Sequence, residues 1–245
     1  MNGRNPMSVD SEAQPTTSLI RLQIHLAARG GCRDQLSARV RDIALAADCG
    51  ENVSITLLTE VDNDPFPAAN PLCRPFDVVL EVETDSISGL GSFLNAIQDF
   101  GDRVADLSHL DLSAALVGAP QKLIQSTPPP LRYLYLMRRK AQTTHDAYID
   151  YYFHNHSNFG FITPNISGYT QFHVDAAMSS EAAKRLGVGT TVVDSVSELS
   201  IESLDLFFEG IGDGRLGIEA AEDEARFVDR DNSVSFLCSA ETIVP

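Results

Sequence analysis

The sequence has no tryptophan, few cations and no long apolar run, and each shortage closes off a class of function. Without tryptophan there is no Trp-built aromatic cage. Lys and Arg together number 18 against 34 Asp and Glu, a net charge of −16. Binding to phosphates draws on a basic surface that releases counterions. Nucleic acid and anionic membrane are therefore set aside as partners. No apolar run approaches the ~18–20 residues that span a bilayer. The four cysteines, Cys32, Cys49, Cys73 and Cys238, are scattered with no C-x-x-C spacing. They read as reduced thiols of a cytoplasmic protein, not as a disulfide frame or zinc site. Residues 1–17, rich in Ser, Thr, Asn and Pro, have neither a basic start nor an apolar stretch. The expectation for them is a disordered tail.

What is present is a pattern that occurs twice. Ser126-Thr127-Pro128-Pro129-Pro130 punctuates the chain, because consecutive prolines continue neither a helix nor a central strand. Before it, residues 19–26 alternate apolar and polar as a strand does. Helical spacing follows over 33–47, with Leu36, Val40 and Ile43 on one stripe. Strands are expected at 53–60 and 76–83, a helix carrying Phe93, Ile97, Phe100 and Val104, and a last strand at 114–124. After the prolines come a strand at 132–138, a helix from Thr144 to about Asn158, and strands at 166–175 and 193–201. Helical segments from Ser203 to Phe227, broken by glycines between Gly210 and Gly217, and a strand at 233–240 complete the chain. Thr143 and Asp146 have the spacing of a capping box. The order βαββαβ, twice, is the ferredoxin-like arrangement. The expected fold class is α+β: two tandem ferredoxin-like domains, 18–125 and 131–245, joined by the linker 126–130 and covering each other as an intramolecular dimeric α+β barrel.

Alternation then sorts side chains between the helix-facing side and the barrel interior. Leu22, Ile24 and Leu26 are assigned to the helices, and Arg21, Gln23 and His25 to the interior. Tyr169, Gln171 and His173 lie opposite Thr170, Phe172 and Val174; Glu198 shares the polar face of its strand with Ser200. Tyr133, Tyr135 and Met137 lie opposite Leu134 and Leu136. Polar groups in a half-enclosed interior need partners or a ligand. On the helix, His145, Tyr148, Tyr152 and His156 recur at three- and four-residue steps. His154 and His156 point apart on a helix and make a poor metal pair, so no metal is expected. Gly212 to Gly217 spells G-x-G-x-x-G but follows a helical segment, which argues against a dinucleotide site. There is no Walker sequence, G-x-S-x-G or H-E-x-x-H.

Four blocks of the second half resemble the EthD-domain family. They are Thr144-His145-Asp146-Ala147-Tyr148 with Tyr151-Tyr152 and His156; Gly168-Tyr169 with Gln171 and His173; Asp194-Ser195-Val196-Ser197-Glu198-Leu199; and Glu222 to Asp229. Tyr152 and Ser200 stand where that family often carries tryptophan. The resemblance covers about residues 131–245 and implies a dimeric α+β barrel with a hydrophobic small-molecule pocket, a few acid/base groups and no bound metal or cofactor. The N-terminal half lacks the His-bearing helix signature and reads as a diverged copy that closes the barrel.

The function expected from this is a cofactor-independent enzyme that dehydrates or decarboxylates a hydrophobic cyclic or aromatic carbonyl compound. His156 is the expected general base, with His173 or Glu198 orienting it or exchanging protons with it. Tyr169 and Gln171 bind the substrate oxygen, and Tyr135 and Tyr152 wall the pocket. A cofactor-free monooxygenase and a non-catalytic carrier of hydrophobic ligands stay open beside it. Pairing of two chains through an exposed sheet edge also stays open.

Overall fold

The computed structural model describes residues 19–47, 52–65, 76–125, 130–212 and 214–244. The expected tail at 1–17, most of the linker at 126–130, and Cys49 and Cys73 lie outside the described residues. Eight strands form one closed barrel: β1 (Ile20–Leu26), β2 (Val53–Glu60), β3 (Val78–Thr84), β4 (Ala114–Ile124), β5 (Leu131–Met137), β6 (Ile166–Asp175), β7 (Ser195–Ile201) and β8 (Val234–Val244). Their order around the barrel is β1-β3-β2-β8-β5-β7-β6-β4, and every pair is antiparallel. Each half contributes four adjacent strands, and β2–β8 and β4–β6 are the two seams between halves. Closure gives each of the described strands two neighbours, which leaves no open edge among them.

Helices cover the outside. In the first half these are α1 (Arg33–Ala46), α2 (Ile87–Ala96) and α3 (Phe100–Val104). Leu36, Val40 and Ile43 of α1 and Leu90 and Phe93 of α2 pack on Leu22, Ile24 and Leu26, as the alternation of β1 requires. The second half carries α4 (His145–Tyr151), a π-helical turn at Tyr152–His156, α5 (Ser157–Ile162), α6 (Ala176–Leu186), α7 (Leu204–Ile211) and α8 (Arg215–Phe227). The cap of α4 is Thr144, whose hydroxyl accepts from Ala147 N at 3.3 Å, one residue later than the Thr143 capping box expected from the sequence. No helix among the described residues is long and apolar enough to cross a membrane.

Two findings depart from the sequence-based picture. First, α6 is absent from the expected elements, because Ala176 to Leu186 is a run of small and polar residues with a weak apolar stripe. Its ends are nevertheless well marked. Asp175 caps it through Met178 N at 2.8 Å, and Gly187 closes it at φ 68° in the left-handed region. Ala182, Ala183 and Leu186 of this helix pack into the core of the first half.

Second, the faces of β5 and β6 are opposite to a polar-in arrangement. Leu134, Leu136, Phe172, Val174, Val196 and Phe236 fill the barrel interior with Leu58, Val79 and Leu116. Tyr135 and Met137 instead pack with Tyr148, Tyr152 and Phe227, beneath the helices. Tyr169, Gln171 and His173 share that outer phase on β6. Both faces of this sheet are covered, so hydrophobicity alone does not tell them apart. Tyrosine suits either face, having an apolar body and a polar tip.

Candidate functional site

The candidate residues fall into three separate places. Glu198 is the one that enters the barrel. Its carboxylate accepts from Arg21 Nη1 at 2.6 Å and Gln23 Nε2 at 2.7 Å. Arg21 also pairs with Glu83 at 2.6 Å and Glu81 at 3.3 Å, and Arg132 pairs with Glu81 at 2.6 Å. Burial raises the pKa of Glu198, against the pull of Arg21. His25, fully buried deeper in the same interior, is held down to about 3 by burial, which outweighs the upward pull of Glu81. Glu198 thus belongs to an ion network and not, as the sequence suggested, beside His156 or His173.

His156 lies under the helix layer. The π-helical turn brings its ring between Tyr152, Phe159 and Phe227, and its Nδ1 sits 2.9 Å from Asp223 Oδ2. Single π-helical turns recur at functional sites. Burial lowers the pKa of His156 despite the partnership with Asp223. Glu224 is 3.8 Å from His156 Nε2 and is pushed up to about 7 by burial, against the pull of Arg230. Tyr151 donates to Asp223 at 2.7 Å.

The third place is a groove of about 700 Å³ on the outside of the β4–β6 seam. One wall is α4 and the residues after it, with His145, Ile149 and Phe153. The far wall comes from the first half, with Leu19, Ile20 and Ile87, and Met178 of α6 closes one end. The strands contribute Ala119 and Gln121 from β4 and His173 from β6, so the groove needs both halves of the chain. A close approach makes the floor. A Cβ on Gly118 would lie 1.9 Å from the carbonyl oxygen of His173, so only glycine lets β4 and β6 pair here.

Two histidines of the groove are held by partners that leave one ring nitrogen free. His145 Nδ1 lies 2.9 Å from Asp194 Oδ1, and Arg139 Nη1 donates to the same oxygen at 2.7 Å. The carboxylate accepts, so Nδ1 carries a proton, and in the neutral ring Nε2 is the acceptor. Gln171 donates through Nε2 to the Tyr152 carbonyl at 3.0 Å and to the Tyr169 hydroxyl at 2.8 Å, which orients its amide. Its Oε1 is then left facing His173 Nε2 at 3.2 Å. That fixes the proton of His173 on Nε2 and leaves Nδ1 as an acceptor. Burial, with His145 a lesser cause, pulls the pKa of His173 down to about 4.

Of the residues expected from the sequence, the groove contains only His173, with Gln171, Tyr169 and Tyr152 standing behind it. Tyr135 lies away from it, near Glu224. Sequence reasoning passed over His145, which sits in the first turn of α4, and Asp194, which lies just before β7. The signal for His145 was its place on the stripe with Tyr148 and Tyr152. Asp194 is distant in sequence, and its only signal was its place at the head of the third EthD-like block. No group of three or more His, Cys, Asp or Glu among the described residues is arranged to hold a metal ion.

No protein-family model matches the chain, and no curated protein is similar to it. Solved structures are similar over almost the whole length. An anthrone oxidase-like protein superposes with a TM-score of 0.59 at 11% identity, covering 94% of each chain. A presumed monooxygenase from Lactobacillus acidophilus gives 0.54 at 7% identity, covering 93% of this chain and 97% of that one. A chlorite dismutase variant from Candidatus Nitrospira defluvii gives 0.52 at 11% identity, covering 92% of each. The fold is the dimeric α+β barrel. At these identities the likeness concerns the fold alone.

Proposed function

We propose that the chain is a cofactor-independent enzyme, in which His145, backed by Asp194, moves a proton on a hydrophobic carbonyl compound held in the groove. The observation that carries this reading is that two histidines with fixed tautomers line one apolar cavity large enough for a small ring system. Asp194 stabilises the imidazolium that forms when His145 Nε2 takes a proton, the part a buried carboxylate plays beside a catalytic histidine. In the dehydration arm, that proton leaves the carbon next to the carbonyl, the C–O bond of the neighbouring hydroxyl breaks, and a C=C bond forms. His145 returns its proton to the departing oxygen, which leaves as water. His173 Nδ1 accepts from the substrate hydroxyl and orients it. Tyr169 and Gln171 hold His173, and so act as positioning residues. The four sequence blocks that resemble the EthD family support this class of activity. The same reading takes 18–125 and 131–245 as two ferredoxin-like copies.

A second reading is favoured by the names of the similar structures, an anthrone oxidase-like protein and a presumed monooxygenase. There the same proton abstraction gives an electron-rich carbanion that reacts with dioxygen. A variant of either reading puts His156 and Glu224 in charge of the proton, favoured by a carboxyl poised near 7. One experiment separates them. Wild type, His145→Gln and His156→Gln are incubated with a panel of hydrophobic hydroxy ketones, keto acids and polyphenols, and products are read by mass spectrometry. Loss of water, abolished by His145→Gln and kept by His156→Gln, is the expected result. Gain of oxygen moves the assignment to the oxygenase, and loss of activity in His156→Gln alone moves the base. Binding without product in wild type refutes catalysis in favour of a carrier.

A further inference from the structure

The lining of the groove has a charge bias that bears on its substrate. Its carboxylates are Asp146 and Asp150 on α4 and Asp175 at the end of β6, and among the described residues no Lys or Arg lines it. The remaining titratable groups there are His145, His154 and His173. Asp146 and Asp150 are exposed on the helix wall, and Asp150 lies 3.7 Å from His154. Asp175 spends one oxygen on the cap of α6. An adjoining cavity of about 590 Å³ shares His145, Val174 and Asp175 with the groove and contains one cation, Arg139. That guanidinium is already committed to Asp194 at 2.7 Å and to the Thr143 carbonyl at 2.9 Å. The chain as a whole carries −16.

We infer that the groove selects neutral molecules and turns away anions, with Asp146, Asp150 and Asp175 as the residues that set this choice. The inference rests on the reading that the groove is the substrate site. It favours an uncharged hydroxy ketone over a keto acid, and with it water over carbon dioxide as the leaving group. Carboxylates about 8 Å from a bound charge, acting largely through water, each weaken an anion about twofold, so three give about tenfold. The effect shrinks as salt shortens the screening length below about 10 Å. Rejection by like charge is a recognised way of building specificity.

The test uses two fluorescent probes with the same ring system, neutral N-phenyl-1-naphthylamine and the anion 8-anilinonaphthalene-1-sulfonate. Binding of each is titrated at low and high salt to wild type, to Asp146→Asn/Asp150→Asn, and to Ala119→Trp, which fills the groove. The expected result is neutral-probe binding about tenfold tighter at low salt, a gap that narrows with salt, and a sulfonate affinity raised about fourfold in the double variant with the neutral probe unchanged. Ala119→Trp is expected to weaken the neutral probe at least tenfold. Equal or tighter sulfonate binding in wild type, or a double variant without effect, overturns the inference while leaving the groove as the site. Neutral-probe binding that is absent, or that ignores Ala119→Trp, overturns the groove itself and the inference with it.

Discussion

Removing Arg21 puts the barrel interior to its severest test. The side chain is 3% exposed and engages Glu198 and Glu83 at 2.6 Å and Glu81 at 3.3 Å. With Arg132 on Glu81 and Lys122 on Glu83, three cations face three carboxylates. Arg21→Met leaves three carboxylates with two cations, two of the carboxylates almost fully buried. Breaking a buried pair from one side costs about 3–5 kcal/mol, because the charge left behind has lost its partner. At about 2–4 °C per kcal/mol for a chain of this size, the melting temperature falls by roughly 6–20 °C. Glu198→Gln alone is milder, about 1–2 kcal/mol, since its amide oxygen still accepts from Arg21 and Gln23. In the Arg21→Met background the same change removes an uncompensated charge, so the double variant regains about 1–2 kcal/mol over Arg21→Met. Urea denaturation followed by circular dichroism on the four proteins of the cycle gives the coupling directly. If the double variant lost the sum of the single losses within about 0.5 kcal/mol, Glu198 and Arg21 would be uncoupled and the network account would be wrong.

His25 makes stability depend on pH. Its pKa is about 3 in the fold against an ordinary 6.5, so above pH 6.5 neither folded nor unfolded chain binds the proton. As pH falls from 6.5 toward 3 only the unfolded chain does, and stability drops by about 1.4 kcal/mol per unit, or about 2 kcal/mol at pH 5. Denaturation of wild type and His25→Leu at pH 7 and pH 5 checks this, and an equal pH 5 loss in both would exonerate His25. For turnover of a hydroxy ketone, Asp194→Asn is expected to lower kcat about 10²–10⁴-fold with KM little changed; a pure KM effect would make the pair a binding device. Gly118→Ala forces β4 away from the carbonyl of His173, with an expected loss of at least about 1–3 kcal/mol by thermal melting and a weakened neutral probe.

Much of the barrel was legible because its strands carry strong local signals. Val53–Glu60, Ala114–Ile124 and Ile166–Asp175 occur where alternation and their boundaries place them. α1 is equally plain, since Leu36, Val40 and Ile43 have no other face to occupy. The site was less legible, for two physical reasons. The orientation of β5 and β6 depends on which covered face each strand turns to the interior, and Phe172 or His173 satisfies either choice. The partner of His145 is Asp194, 49 residues away and brought to it by the pairing of β5 with β7. His156 attracted attention through its helix stripe, and the π-helical turn then carried it toward Asp223 and away from the groove.

The crossing of α6 into the core of the first half has a consequence for how the protein is made. The first half leaves the ribosome with its own strands and helices complete, yet the hollow that Ala182, Ala183 and Leu186 fill stays empty until the chain has been synthesised past residue 186. Gly101 must likewise wait for the carbonyl of Leu186, which would lie 2.6 Å from a Cβ placed there. The nascent N-terminal half therefore keeps that apolar hollow uncovered for more than 60 residues of synthesis beyond Ile124. By the same logic, the two halves made as separate chains should find each other in the cell, with α6 serving as the clasp.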